Sequence, residues 1–414
     1  MVKTVSKALW GPCTTFLIFA IGVIITAKTG FLPFRPVKLV KTAFGGDRES
    51  KGISPFRALM TALSGCVGVG NIIGVGAAIA VGGPGALFWM WVSALSGMSV
   101  KFFEIFLAVK YKDKDMTGSP VQYIKKGLDM PLLATLYAVL GFISSLSTGN
   151  LVQSGAIADI AGNRGIPRSL CAIIVILLCF FVASKGIEHL SGILSKIMPV
   201  AIIAYCAACI AVLFTCRDKL PQVLSDVFCG AFGTKAISGG GLGIALKAGF
   251  SRGVFSNEAG VGTSCLSHAS SSQSNPSKQA VWGIFEVFTD TILICTLSGL
   301  AMLVTDTSGY TLACGDMFYA IFGSGGRLFA DVMLLIFAFS TLCAWCFYGQ
   351  KFYNMLGGKT KTLYLALFAL FIFVGALSKN ENLWYFADIS NALAMFVNLT
   401  VLVLLLPETK KVTL

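Results

Sequence analysis

Residues 64–74 read Ser64-Gly65-Cys66-Val67-Gly68-Val69-Gly70-Asn71-Ile72-Ile73-Gly74, which puts four glycines into eleven residues of an otherwise apolar stretch. Each glycine in a helix interior costs about 1 kcal/mol relative to alanine. The surrounding run, near 57–81, is long enough to cross a bilayer, whose hydrocarbon core takes about 20 residues of helix. The stretch therefore predicts a membrane-spanning helix that is interrupted in its middle.

A second apolar run contains a segment of the same kind. Asn257 and Glu258 lie mid-span, where ionisable groups are expensive and indicate a functional site by default. Two structural alternatives stay open: Glu258 could pair with Arg252, and the Gly70 to Gly74 spacing fits tight GxxxG helix packing. The full segment reads Gly249-Phe250-Ser251-Arg252-Gly253-Val254-Phe255-Ser256-Asn257-Glu258-Ala259-Gly260-Val261-Gly262.

The composition indicates a single membrane domain over residues 1–414. The chain is 56% hydrophobic and 12% charged, whereas soluble domains carry about 25% charged residues. Its net charge of +13 does not indicate a nucleic-acid partner, because the Lys and Arg residues lie between apolar spans instead of forming one basic face. We expect the lipid bilayer to be the main surrounding of the protein.

Windows of about 19 residues predict an all-α, polytopic protein with eleven transmembrane helices. The extra helix at 10–32 is followed by two five-helix blocks, 57–216 and 240–407, and each block begins with one of the glycine-rich segments. Because five is odd, the second block must cross the membrane in the opposite direction, which predicts an inverted repeat. The predicted helices are 10–32, 57–81, 84–110, 132–162, 168–185, 192–216, 240–268, 279–304, 327–356, 360–377 and 382–407.

The basic residues predict the orientation, since cytoplasmic loops are enriched in Lys and Arg. With the N-terminus outside, 20 of them fall on the cytoplasmic side and 9 on the other, with Lys101, Lys247 and Arg252 left inside spans. We therefore expect a protein of the cell membrane with its N-terminus outside and its C-terminus in the cytoplasm. The count includes Arg48, Lys51, Lys235 and Lys379.

Paired helix breaks suit a small zwitterionic solute. Unwound backbone inside a bilayer is tolerated where protein or a cavity covers it. The half-helix after Gly68 presents free N–H groups and a positive dipole end, which favour a carboxylate. Half-helices that end in free carbonyls suit an ammonium group or a cation. Two breaks at one depth therefore predict a site for an amino acid.

Other polar residues inside the spans have both a functional and a structural interpretation. Gln153 could hydrogen-bond a solute or a neighbouring helix. Ser340 and Thr341, taken alone, favour the structural interpretation, because such hydroxyls often bond carbonyls of their own helix.

Charged residues inside the spans are equally ambiguous. Lys101 and Glu104 are three positions apart, which favours a structural pair on one helix face. Glu286 and Asp290, one turn apart, are either an ion site or partners for buried cations.

With these residues in hand, the chain resembles the alanine or glycine:cation symporters, the sodium:alanine symporter family. The resemblance runs in order over nearly the whole chain. The shared motifs are Thr61-Ala62-Leu63-Ser64, Gly68-Val69-Gly70-Asn71, Val81-Gly82-Gly83-Pro84-Gly85-Ala86-Leu87-Phe88-Trp89-Met90-Trp91, Gly149-Asn150-Leu151-Val152-Gln153-Ser154, Arg252-Gly253-Val254-Phe255-Ser256-Asn257-Glu258-Ala259-Gly260 and Phe337-Ala338-Phe339-Ser340-Thr341, with Trp345 and Tyr348-Gly349.

This resemblance implies the 5+5 inverted-repeat fold of the bacterial leucine transporter, preceded by one extra helix, and symport of alanine or glycine with sodium, and it leaves D-alanine open as a further solute. The implied solute contacts are Gly68, Val69, Gly70, Gln153, Phe255, Asn257 and Trp345. One sodium would lie between the carbonyls of Ser64 and Val67 and the group Phe337, Ser340 and Thr341, and a second near Asn71, Ser256 and Asp290. The chain departs from the family at Val69, where relatives usually carry Thr.

Alternatives from other classes predict other sequence features. A passive channel needs a continuous polar pore rather than two localised breaks. An enzyme needs a catalytic constellation, and the sequence has no paired His set and no GxSxG elbow. We expect no catalytic residues, no cofactor and no metal besides sodium. A uniporter and a proton-coupled amino-acid transporter remain alternatives.

Overall fold

The computed structural model describes residues 2–44, 52–183, 185–232, 241–307, 313–378 and 382–412, and Arg48, Lys51, Lys235 and Lys379 of the predicted charge count lie outside them. Within these ranges the regular structure is helical, and one isolated parallel bridge joins Ile53 to Ser271. The helices are α1 Val2–Leu9, α2 Pro12–Lys28, α3 Pro36–Phe44, α4 Pro55–Cys66, α5 Ile73–Gly82, α6 Gly85–Lys110, α7 Pro120–Gly127, α8 Pro131–Leu146, α9 Val152–Asn163, α10 Arg168–Ala183, α11 Ile187–Thr215, α12 Leu220–Phe232, α13 Gly241–Asn257, α14 Cys265–Ala269, α15 Pro276–Val287, α16 Thr296–Val304, α17 Ala313–Met355, α18 Lys361–Leu377 and α19 Asn382–Leu404.

Six helical segments of the described chain are long and apolar enough to cross a membrane. They are Gly85–Lys110, Pro131–Asn163, Ile187–Thr215, Pro276–Val304, Cys314–Met355 and Asn382–Leu404. Two of them contain a π-helical turn, at Ser147–Leu151 and Phe288–Cys295. Shorter apolar helices at Thr14–Lys28, Arg168–Val182 and Lys361–Leu377 match three further predicted spans. The all-α prediction is confirmed, whereas the count of eleven stays a prediction.

The first predicted break is confirmed. Helix α4 ends at Cys66, a single 3₁₀ turn covers Val69–Asn71, and α5 begins at Ile73. The two halves differ in direction by 66° and together form a seventh candidate span. The glycine-rich sequence thus gives an interrupted helix rather than a continuous helix with GxxxG packing.

The second break lies later than its glycines suggest. Helix α13 continues through Gly249 and Gly253. At these positions glycine lets α6 approach closely, since a Cβ at Gly249 would lie 2.0 Å from the carbonyl oxygen of Ala86 in α6. The helix stops after Asn257, and left-handed backbone follows at Glu258, with φ of 53°, and at Gly260, with φ of 92°. The interruption therefore covers residues 258–264, before the short helix α14.

The N-terminal region also differs from the single predicted helix 10–32. Two helices, α1 and α2, meet at Trp10–Gly11, and Pro12 occupies the first turn of α2, where its missing N–H is harmless. Helix α1 reaches α19, where Trp10 Nε1 donates to the Asp388 carbonyl at 3.1 Å and Ser6 Oγ donates to the Asp388 carboxylate at 3.3 Å. Helices α3, α7 and α12 were not predicted, because a 19-residue window hides helices of 8 to 13 residues.

Helix α6 is the most buried of the six long spans, with 89% of its apolar window inside the protein. It packs against α13, α15 and α2, so its charged residues face other helices. The parallel bridge ties the chain before α4 to the chain after α14: Ile53 N donates to the Ser270 carbonyl at 3.0 Å, and Ser272 N donates to the Ile53 carbonyl at 2.7 Å. These contacts bring the two interrupted helices side by side.

Candidate substrate and ion site

A buried hydrogen-bond network begins at the first break. The Gly68 N–H donates to Asn71 Oδ1 at 3.1 Å, which satisfies one of the amides left free where the helix is interrupted. Asn71 Nδ2 in turn donates to Asp290 Oδ1 at 2.6 Å, in the π-helical turn between α15 and α16. The first break is thereby joined to a carboxylate 219 positions further along the chain.

The same carboxylate is joined to the end of α13. Ser256 Oγ and Thr291 Oγ1 both donate to Asp290 Oδ2, at 2.9 and 2.8 Å, and Asn257 Nδ2 donates to Thr291 Oγ1 at 3.1 Å. Asn257 also accepts the Ala259 N–H at 3.0 Å, which fixes the start of the second break. Asp290 therefore connects the two breaks, and it brings together the predicted group of Asn71, Ser256 and Asp290.

A second group of oxygens surrounds the Thr341 hydroxyl on α17. Thr341 Oγ1 lies 2.9 Å from the Ser64 carbonyl, 3.3 Å from the Val67 carbonyl and 2.9 Å from the Phe337 carbonyl. Ser340 Oγ donates to the Phe337 carbonyl at 2.9 Å. The predicted group of five residues thus lies around one point at the end of α4. Thr341 does bond its own helix, as the structural alternative expected, but it contacts α4 as well.

Both groups fit a hard cation, which proteins bind through oxygen atoms. A hydroxyl has one hydrogen to donate, so Thr341 can satisfy one of its three carbonyl neighbours while the remaining lone pairs converge beside it. Asp290 is fully buried, and no described Lys, Arg or His side chain lies within 4 Å of it. A buried carboxylate without a basic partner is expensive, and a bound cation would compensate its charge. Each group therefore gathers oxygen atoms of the kind that bind a hard cation.

Most of the residues predicted to contact solute lie around the first break, whereas Asn257 lies at the start of the second. Gln153 Oε1, at the start of α9, lies 3.4 Å from the Val69 N–H, and Trp345 Nε1 donates to the Gly65 carbonyl at 3.0 Å. The Phe255 ring faces Gly70, where a Cβ would lie 3.6 Å from the ring. Gln153 and Trp345 therefore hold the backbone of the break from one side, and Phe255 covers it from the other.

A cavity of about 550 Å³ reaches this region from the face of the protein that carries α1. Its walls include Trp10, Gly74 and Trp384, and its lining ends at Ser251 and Arg252, one helical turn before Phe255. Near its inner end Arg252 forms a bidentate ion pair with Asp388, with nitrogen to oxygen distances of 3.1 and 3.0 Å.

Arg252 also lies over the Phe255 ring, at 5.3 Å from its centroid, and Trp384 lies 6.1 Å from that ring. The structural alternative that paired Arg252 with Glu258 is wrong, because the partner of Arg252 is Asp388. Glu258 instead accepts the Thr263 hydroxyl at 2.6 Å. Arg252 and Asp388 therefore form part of the cavity wall, and the Phe255 ring packs against Arg252.

Side chains of other helices satisfy the backbone of the second break. Asn398 Nδ2, on α19, donates to the Gly260 carbonyl at 2.8 Å and to Glu104 Oε1 at 2.5 Å. The Tyr137 hydroxyl, on α8, donates to the Val261 carbonyl, and the Tyr123 hydroxyl donates to Asn398 Oδ1. We call Asn398, Tyr137 and Tyr123 the clamp. Unpaired carbonyls would cost several kcal/mol in a bilayer, so the clamp stabilises the unwound segment.

The buried charges pair differently from the expected Lys101–Glu104 contact. Lys101 Nζ lies 3.4 Å from Glu286 Oε1 and 3.0 Å from the Ser264 hydroxyl, and His268 Nε2 lies 2.9 Å from Glu286 Oε2. Glu286 therefore follows the second of its two alternatives, as the partner of a buried cation. Glu104 joins the clamp instead, where it accepts a hydrogen bond from Asn398.

The sequence interpretation missed Thr291, Asp388, Tyr137 and Asn398. Asp388 and Asn398 carry a usable signal, since a polar residue inside an apolar span indicates a functional contact by default. Thr291 and Tyr137 carry none, because an isolated hydroxyl in an apolar helix commonly bonds the backbone of its own helix.

Two broken helices joined at one buried polar site, within an all-α protein with several apolar spans, define a secondary transporter of the membrane. The chain belongs to the sodium:alanine symporter family, whose sequence profile matches residues 1–414. This is a family of transporters and not of enzymes.

Curated relatives match over almost their full length. A protein of Methanococcus maripaludis named sodium/alanine symporter AgcS is 34% identical over 428 residues, which cover 98% of this chain and 94% of that protein. An uncharacterized transporter of Haemophilus influenzae is 32% identical, with 99% and 95% covered. The probable sodium/glutamine symporter GlnT of Bacillus subtilis is also 32% identical, with 98% and 88% covered.

Solved structures show the same fold at low sequence identity. The crystal structure of MhsT in complex with L-phenylalanine gives a TM-score of 0.64 at 12% identity, covering 87% of this chain and 90% of that one. A manganese transporter of Eremococcus coleocola, in its H236A mutant, gives a TM-score of 0.57 at 14% identity, with 86% and 82% covered. In the part of the chain described here, no group of three or more His, Cys, Asp or Glu side chains could hold a metal ion such as manganese.

Proposed function

We propose that this protein is a secondary active transporter that couples the movement of a small neutral amino acid, alanine or glycine, to a sodium gradient by alternating access. Sodium is the coupling ion, and the solute binds between the two broken helices. The observation that carries the proposal is the Asp290 carboxylate, which lies buried between both breaks without a basic partner among the described residues.

Within this proposal each predicted residue has one role. The free amides after Gly68 take the solute carboxylate, and Gln153 and Asn257 hydrogen-bond its polar groups. The side chains of Phe255 and Trp345 limit the size of the pocket, and Val69 removes a hydroxyl that relatives usually supply. One sodium binds the oxygens around Thr341, and the other binds beside Asp290 and Asn71, close to the solute carboxylate.

The proposed architecture has eleven transmembrane helices, with the first repeat in 57–216, the second in 240–407, and one extra helix before them. The pairing of an interrupted α4–α5 with an interrupted α13–α14 supports the repeat. We place the N-terminus outside and the C-terminus in the cytoplasm of the cell membrane. The cavity lined by Trp10 and Trp384 then opens outward, and the clamp at Gly260 and Val261 lies on the cytoplasmic side.

Solute uptake into proteoliposomes tests the proposal. Purified protein is reconstituted, and uptake of radiolabelled L-alanine, glycine, D-alanine and L-glutamine is followed with an inward sodium gradient, with choline in place of sodium, and with an inward proton gradient. Glutamine is included because one relative is named for it. Protein-free liposomes give the background. We expect alanine or glycine to accumulate above its external concentration only with the sodium gradient, and accumulation to collapse when a sodium ionophore is added.

Other outcomes would assign the alternatives. Accumulation that follows the proton gradient and ignores sodium would show proton coupling. Flux that never exceeds equilibrium and does not depend on either gradient would show a channel or uniporter. Either result would overturn sodium-coupled symport by this chain.

A further inference from the structure

Helix α3 takes no part in the proposed transport site. It lies in the connection between α2, which ends at Lys28, and α4, which begins at Pro55. Because both neighbours are apolar helices of the membrane domain, we place α3 at the membrane surface. The segment Pro36–Phe44 is short, and its surface divides into three faces.

One face of α3 packs on the protein. Successive helix residues are about 100° apart, which places Leu39 and Ala43 on the same side. Both are buried, at 4% and 5% exposure. The neighbouring face is apolar and exposed, with Val37 at 68%, Val40 at 48% and Phe44 at 74%. An exposed apolar face beside a membrane domain indicates contact with lipid rather than with water.

The third face is basic. Arg35, just before the helix, and Lys38 and Lys41 within it are all exposed, and they line a shallow surface depression of about 530 Å³ together with Pro36, Val37 and Thr42. None of these three cations has an acidic partner within 4 Å in the described parts of the chain. Three positive charges that no acidic side chain of the described ranges pairs with, beside an apolar face, match the surface of a bilayer that carries negative headgroups.

We propose that α3 binds anionic phospholipids of the leaflet that it contacts. Val37, Val40 and Phe44 enter the acyl boundary, while Arg35, Lys38 and Lys41 contact headgroup phosphates. A basic residue near an anionic membrane surface contributes about 1 kcal/mol to the free energy of binding, so three of them should favour anionic over zwitterionic lipid clearly. A soluble phosphate would use the same charges but not the apolar face, which is why the lipid is the better occupant.

Native mass spectrometry of the purified full-length chain tests this proposal. The protein is exposed to equimolar phosphatidylglycerol and phosphatidylcholine, and the bound lipids are counted. The variant Arg35→Gln/Lys38→Gln/Lys41→Gln removes the basic face. The matched control Lys114→Gln/Lys125→Gln/Lys359→Gln removes three exposed charges from the same predicted side of the membrane. Thermal unfolding of each variant checks folding.

We expect the wild type and the control to retain phosphatidylglycerol preferentially, and the α3 variant to lose at least about tenfold of that preference. A second variant, Val37→Asn/Val40→Asn, keeps all charges and should also lose bound lipid. Millimolar inorganic phosphate should not displace the lipid that is bound to the wild type. Equal preference in the α3 variant and the control, or displacement by phosphate, would overturn the proposal. Because lipid binding is measured without transport, the result is independent of the proposed symport.

Discussion

Asn71 and Asp290 lie 2.6 Å apart, as amide donor and carboxylate acceptor, although 219 positions separate them in the chain. A neutral amide orients the carboxylate without cancelling its charge. Ser256 and Thr291 do the same from the other side, as hydroxyl donors. The Asp290 carboxylate at the junction of the two broken helices is therefore held in position by neutral donors, and no Lys, Arg or His side chain of the described ranges pairs with it.

Removing that charge should weaken sodium binding. In Asp290→Asn the shape is kept while the anion is lost, so the sodium concentration for half-maximal uptake should rise at least about tenfold, equivalent to about 1.4 kcal/mol. Sodium titrations of alanine uptake in proteoliposomes measure this. Asp226→Asn makes the same change on the exposed surface of α12 and should leave the titration unchanged. An unaltered sodium dependence in Asp290→Asn would exclude it as an ion ligand.

The Thr341 hydroxyl should have a similar but separate effect. Thr341→Val removes one oxygen from the group at the end of α4 without changing side-chain size, and loss of one ligand to a charged partner costs roughly 1.5–3 kcal/mol. The sodium requirement should rise about tenfold or more, and Ser340→Ala should shift it in the same direction.

The control for this prediction is Thr400→Val, since the Thr400 hydroxyl bonds the Phe396 carbonyl of its own helix at 2.9 Å. Equal sodium titrations for Thr341→Val and Thr400→Val would mean that the oxygens around Thr341 only hold α17 against α4.

The amides proposed to face solute should matter for uptake more than for folding. Gln153→Ala and Asn257→Ala each remove a hydrogen-bonding group at a break, so we expect uptake to fall at least about tenfold at fixed sodium. Thermal unfolding in detergent, measured for each variant, checks that the protein still folds. Gln222→Ala, on the exposed surface of α12, serves as the control. Wild-type uptake in either site variant would remove that residue from the solute site.

The clamp on the second break should control access to that break. Tyr137→Phe leaves the Val261 carbonyl without its hydrogen-bond donor, which destabilises this conformation by about 1–3 kcal/mol. The fraction of molecules in which the segment 258–264 has moved away from α8 should therefore rise about tenfold. Cys265 is buried directly after this break, so its labelling by N-ethylmaleimide, read by site-resolved mass spectrometry, should accelerate.

Tyr205→Phe provides the matched change for the clamp, because the Tyr205 hydroxyl bonds Ser298 at 2.9 Å, away from the break. Its Cys265 labelling should equal that of the wild type. If Tyr137→Phe labels no faster than Tyr205→Phe, the tyrosine does not hold the segment closed.

The sequence predicts what is encoded locally. The break at Gly68 and Gly70 follows from backbone preferences within a few residues, and the apolar spans follow from composition. Helix α3 is not predicted in this way, since nine residues that include Lys38 and Lys41, with Arg35 just before them, average to a weak apolar signal in a long window. Gly249 and Gly253 made the predicted second break begin too early. A single sequence does not distinguish a glycine that allows close helix packing from a glycine that ends a helix.

Long-range pairing is the part that a single sequence leaves open. The partner of Arg252 lies 136 positions away at Asp388, and that of Gly260 lies 138 positions away at Asn398. A charged residue in an apolar span indicates that a partner is needed, but the packing of the helices determines which residue that partner is. The same holds for Lys101, whose nearest candidate in sequence, Glu104, is taken by Asn398.

The parallel bridge between Ile53 and Ser271 has a mechanical consequence. It joins the chain before one interrupted helix to the chain after the other by two main-chain hydrogen bonds, so moving one end without the other would break both bonds. A conformational change that keeps this bridge intact therefore moves the start of α4 and the end of α14 together.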